Sequence, residues 1–167
     1  ISIINKQSNV NTGVIFDRDR KGDQRMKRKP SKLEFSDIGY SPGGSWSGIC
    51  LEKEILYVYN SKFMPLPPPR EDWITAPNPT EEMWDDFYEL LCDIKLKEWE
   101  KEYFDKSILD GGGWEFRIRF KDIHRTTVGI NAYPNKLILD DRLIDPWEHL
   151  YEGLNNLTSG YYANQFK

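Results

Sequence analysis

A chain of 167 residues is long enough to bury one core and too short for two, so a single domain over 1–167 is expected. Hydrophobic residues at 38%, aromatics at 14% and charged residues at 30%, with a mean hydropathy of −0.69, argue for a ring-rich core and against disorder. No run approaches the roughly 20 apolar residues of a membrane span, and the opening "ISIINKQSNVNTG" lacks the apolar core of a secretory signal. A soluble, cytoplasmic protein is therefore expected; the start at Ile1 rather than Met leaves a removed leader, and with it a secreted form, open.

The net charge of −4 hides an asymmetry. Between Asp17 and Lys32 eight basic residues face three acidic ones, which leaves the rest of the chain strongly acidic. "ISIINKQ" and "TGVIF" read as a first hairpin or two edge strands around a turn-like "SNVNTG". The basic run 17–32 has almost no apolar residues, so an exposed loop is expected, with Arg25, Lys27, Arg28 and Lys29 as candidate contacts for a phosphate backbone.

Three strands follow, at Leu33–Tyr40, Trp46–Leu51 and Ile55–Tyr59, divided by "SPGG" and "EKE". The Pro-rich stretch 64–79 reads as a stiff connector, because its prolines withhold backbone donors from any ladder. The P-x-x-P-x-R spacing in "PLPPPR" is read as part of that spacer.

A long acidic helix is predicted from Thr80, its cap, with Trp84, Phe87, Leu91 and Ile94 on one face. Beyond Ile94 the stripe drifts to Leu96, Trp99 and Tyr103, so the helix either turns over the sheet or breaks near Asp93. In "GGGWEFRIRF" apolar Trp114, Phe116, Ile118 and Phe120 alternate with Glu115, Arg117 and Arg119, and "KDIH" turns the chain into a partner strand "RTTVGI". Arg117 and Arg119, on successive outward positions, are candidate anion or partner contacts. A last helix is predicted from Pro146 to about Leu157, capped by Asp145 and closed by Gly160, and the tail "YYANQFK" as an edge strand or strap.

Catalytic signals are weak. His124 and His149 sit in no recognised motif, and read as a turn residue and a helix-surface residue. "GGSWSG" lacks the glycine spacing of a nucleophile elbow, so Ser45 and Ser47 read as turn residues. Lys21 and Arg28 spoil a calcium loop after Asp17. Asp140, Asp141 and Asp145 in "LDDRLIDP" read as a solvated loop and cap. Cys50 and Cys92 can form at most one bridge and read as structural thiols, and Asn156-Leu157-Thr158 is a short match to a glycosylation sequon. No cofactor or metal is expected.

The order of helix, "DGGGWEFRIRFKD" and "GINAYPNKL" resembles a group of bacterial and phage proteins of unknown function, with a D-G-x-x-W strand, a hairpin and a G-x-N-A-Y-P turn before the last helix. The resemblance spans about 84–155. It implies a fold and a bacterial or phage setting, and no catalytic residue. In the turn itself Gly129 permits close approach, Asn131 bonds neighbouring backbone and Tyr133 buries its ring; Asn131 and Tyr133 are also candidate contacts at a binding corner.

The expected fold is thus α+β, one antiparallel sheet that can be strongly curled, with a long acidic helix and a C-terminal helix on its apolar face. The expected function is non-enzymatic binding of a macromolecule, another protein above all, as an immunity or inhibitor protein does. Nucleic-acid binding through 17–32 is the first alternative, and an enzyme with an unrecognised acid/base site the second.

Overall fold

Strict alternation along three strands puts every second side chain on the same face, and in a computed structural model these strands lie side by side at the centre of a sheet. The structure describes residues 29–39, 45–62, 68–108, 111–120 and 122–164. The first hairpin and most of the basic run, including Arg25, Lys27 and Arg28, lie outside the described residues.

Strands β1 (Lys32–Gly39), β2 (Ser45–Glu52) and β3 (Ile55–Lys62) form the expected meander. β4 (Ile74–Thr75) pairs with β3 at one edge. On the other side of β1 come β6 (Gly113–Arg119) and β7 (His124–Ile130), antiparallel as the alternation predicts. β5 (Glu102–Phe104) closes the order β4-β3-β2-β1-β6-β7-β5 by pairing parallel to β7. The sheet is open and antiparallel except for this one edge.

Two expectations are corrected here. The stretch 64–79 is more than a spacer: after a 3₁₀ turn at Arg70–Asp72 it supplies β4. Trp73 stacks on Tyr59 at 4.7 Å, and the Arg70 guanidinium lies 3.8 Å from the centre of the Tyr57 ring. Nor is the sheet alone, because β8 (Leu137–Leu139) and β9 (Arg142–Ile144) make a separate two-stranded sheet from residues read as a loop.

Helix α1 runs Glu81–Asp93 and resolves the drifting stripe as a break. Thr80 caps it by accepting from the Met83 amide, and Lys95 takes a left-handed conformation (φ 53°) that ends it. Leu96 and Trp99 then turn into the core from a 3₁₀ turn and the segment after it, not from a continuing helix. α2 (Pro146–Leu157) begins as read, with Asp145 accepting from the amides of Trp147 and Glu148 at 3.0 and 3.3 Å. Gly160 follows it at φ 80°. The described part of the tail is a short helix, α3 (Tyr161–Asn164), not a strand. Its Tyr162 is wholly buried, where the chain turns back onto the core.

One face of the sheet carries Leu33, Phe35, Ile49, Leu56, Val58, Trp114, Phe116 and Ile118, all buried with the inner sides of α1 and α2. Phe35 sits at the centre, its ring 5.7 Å from Trp147 and 5.8 Å from Tyr162. The opposite face keeps Glu34, Glu115, Arg117 and Arg119, so the charged half of the alternation points away from the helices.

Candidate binding site

The residues that carry the resemblance touch one another. A Cβ added at Gly129 would lie 2.1 Å from the Trp114 Nε1, so only glycine leaves room for that indole, which donates to the Ala132 carbonyl at 2.9 Å. A Cβ at Gly111 would meet the Asn131 side chain at 1.2 Å. Asn131 holds a left-handed φ of 56° and donates from Nδ2 to the Ile108 carbonyl. These positions weld β6 to the turn after β7, which is a structural reason for the motif. Tyr133 departs from expectation: it is 48% exposed, because its ring lies as a lid on Trp114 and 5.0 Å from Trp147, with its outer side in solvent.

Beside this corner, on the helix-covered face, Asp37 pairs with Ser47 and Trp114 on the flanking strands. Burial pushes its carboxyl up to about 6. Ser47 shares a buried hydrogen bond of 3.1 Å with the Tyr162 hydroxyl, so it is a packing residue there and not a nucleophile.

The candidate arginines separate. Arg117 is held between Glu115 at 2.5 Å and Glu34 at 3.5 Å, which spends its charge inside the sheet. Arg119 contacts no carboxylate among the described residues, and its Nη2 lies 3.1 Å from the Nε2 of His124. Lys29 donates to the Glu54 carbonyl and lies 3.8 Å from its carboxylate, which ties the end of the basic run to the β2–β3 turn.

A second feature lies elsewhere, among residues that the sequence pattern suggested only as a loop. In β8–β9 the cross-strand pair Ile138 and Leu143 is 70% and 69% exposed. The turn between them is Asp140-Asp141, both left-handed at φ 48° and 60°, the geometry of a two-residue hairpin turn. Ile144, on the other face, is buried against the body, so the hairpin is apolar on both sides and covered on one. Beneath it a cleft of about 540 Å³ runs to α1, lined by Leu90, Ile94, Leu139, Leu143 and Ile144 together with Asp86, Glu89 and Asp93. α1 holds six carboxylates and no basic residue, while Arg142 is the only cation in the cleft lining.

His149 also lines this cleft. Its Nδ1 donates to the Asp145 carbonyl at 3.0 Å, which fixes the ring against the start of α2. The two thiols are free: Cys92 is exposed, and Cys50 is half-buried on the charged face, its pKa raised by burial and by Glu34 and Glu52. Among the described residues no three His, Cys, Asp or Glu gather as a metal site, and no helix is long and apolar enough to cross a membrane. No protein-family model matches the chain, and no curated protein matches it.

Proposed function

We propose that this chain is a non-enzymatic binding module whose partner is a protein segment carrying Lys or Arg beside apolar side chains. One observation carries the reading: Ile138 and Leu143 stand nearly uncovered, side by side, on a hairpin whose Leu143 also lines a cleft with an acidic opposite wall. Covering two such side chains is worth roughly 1–2 kcal/mol each, a central apolar anchor in interface terms. Asp86, Glu89 and Asp93 then select against an acidic partner and steer a basic one. An inhibitor or immunity protein working on a basic target fits this chemistry.

The experiment is a photo-crosslinking amino acid at position 138 in cells, with Glu152 on the exposed side of α2 as the control position. The captured protein is then purified and its affinity measured against the intact chain, Leu143→Asp and the double variant Asp86→Lys, Asp93→Lys. Losses of about tenfold or more in both variants are expected. Capture from both positions alike, or affinities unchanged by either variant, would overturn the reading.

A further inference from the structure

The charged face of the sheet holds two neighbouring lateral rows that differ in kind. In one, Glu34 of β1 stands opposite Arg117 of β6, which stands opposite Thr126 of β7, so opposite charges meet across the strands. In the next, Lys32 stands opposite Arg119, which stands opposite His124. Three side chains able to carry positive charge therefore occupy one row on adjacent strands, about 5 Å from strand to strand. Like charges directly opposite one another cost stability, and sheets ordinarily avoid them. The carboxylate nearest this row, Glu34, belongs to the complementary row and is shared by Arg117 and Lys32, the latter at 3.2 Å. Arg119 meets no carboxylate among the described residues; its contact is the His124 ring.

The arrangement is open as well as basic. Lys32, Arg117, Arg119, His124, Arg125 and Thr126 line a shallow depression of about 190 Å³, which has room for a phosphate group. Arg125, next along β7, pairs with Ile118 and is not a member of the row, yet it too lines the depression and adds to its positive charge. A local rule broken with only partial compensation, Glu34 on Lys32 and no carboxylate on Arg119 among the described residues, is the expected mark of a functional position. An anion with several oxygens supplies the missing compensation, since a guanidinium donates two hydrogen bonds in one plane while Lys32 and His124 donate from either side.

We propose that the row Lys32–Arg119–His124 is a binding site for a phosphate group, separate from the hairpin and independent of the function assigned to it. The same chemistry is offered by free phosphate and by a nucleic-acid backbone, and the test separates these sources. The intact chain is titrated at low salt with inorganic phosphate, and in parallel with a short thymidine oligonucleotide, while the amide and His124 ring resonances are followed. Saturable shifts centred on 117–119 and 124–126 are expected, with binding at least about tenfold weaker in Arg119→Gln and unchanged in Arg142→Gln, which removes the same charge elsewhere. Lys32→Glu is the converse variant: it converts the row to a complementary one, so it should abolish phosphate binding and raise the thermal midpoint. An oligonucleotide that binds far more tightly than phosphate, with a steep salt dependence, identifies a nucleic-acid backbone as the source; equal affinities identify an isolated phosphate. Absence of saturable shifts with both probes overturns the site, as does phosphate binding that survives Arg119→Gln or falls equally in Arg142→Gln.

Discussion

The hairpins β6–β7 and β8–β9 are made by the same means and end differently. Both pair antiparallel strands and both carry large apolar side chains: in β6–β7 Trp114, Phe116 and Ile118 stand opposite Gly129, Thr127 and Arg125, whereas in β8–β9 Ile138 stands opposite Leu143. In the first, Trp114, Phe116 and Ile118 go under the helices and are at most 3% exposed. In the second, the strands are three residues long and stand off the main sheet, so Ile144 reaches the body while Ile138 and Leu143 do not. The helix-facing side chains of β6 are covered within this chain, with Ile130 of β7 left 45% exposed at the edge, whereas in β8–β9 Ile138 and Leu143 are left uncovered. Sequence pattern sets which residues are apolar; only the neighbours decide whether the apolar side is a core or a surface for recognition.

The sharpest way to break the contrast is to damage the shielded hairpin. Gly129→Ala drives a methyl group into the Trp114 indole and to 2.6 Å from the Ala132 carbonyl, and a buried ring and a backbone group cannot yield cheaply. A loss of about 3 kcal/mol is expected, read as a lower midpoint in urea unfolding. Next in size is Leu143→Asp in the open hairpin, which should weaken partner binding by about 2 kcal/mol while changing stability by less than about 0.5 kcal/mol. A large loss of stability instead would mean that Leu143 is part of the core, and the contrast would disappear.

Asp37 sharpens the comparison from the covered side. Its pKa in the fold, about 6, stands above the ordinary 3.8, so the fold favours the neutral acid. The stabilisation from this group is complete below 3.8 and is lost as pH rises through about 6. Asp37→Asn should therefore leave stability near pH 4 little changed and raise it by roughly 1–2 kcal/mol at pH 8, seen as a flatter profile of unfolding free energy against pH. The smallest effect expected is that of Asp145→Ala, which removes the cap where the open hairpin enters α2. About 1 kcal/mol of stability should be lost, measured by thermal unfolding, with partner binding unchanged.

Much of the main sheet was legible because its strands are long enough for period two to show. β1, β2 and the pair β6–β7 fall within a residue or two of where alternation and breakers put them, and β3 starts where expected but runs three residues further, to Lys62. α2 was legible from Asp145 and Pro146, whose roles at a helix start are local chemistry. β5 was hidden because three residues, "EYF", carry no period and because its partner is the non-adjacent β7. The candidate surface was hidden for a related reason. "LILDDRLI" contains two apolar triplets around a two-residue turn, yet Asp-Asp is not the Asn-Gly or Asp-Gly that announces such a turn, and the acidic pair drew attention as chemistry. Arg117 and Arg119 were correctly placed facing away from the core, but their difference depends on what stands beside them. Glu34 is 83 residues away from Arg117 in sequence, and only the pairing of β1 with β6 brings it there.

The most direct measurement of the central claim is a titration of the isotopically labelled chain with an eight-residue peptide of alternating Lys and Leu, followed by amide chemical shifts at moderate salt. The account predicts saturable shifts confined to β8–β9 and the cleft-facing side of α1, around 138–144 and 86–93, and their loss in Leu143→Asp. Shifts spread over the acidic surface at large, or a β8–β9 hairpin that does not respond while other regions do, would contradict it.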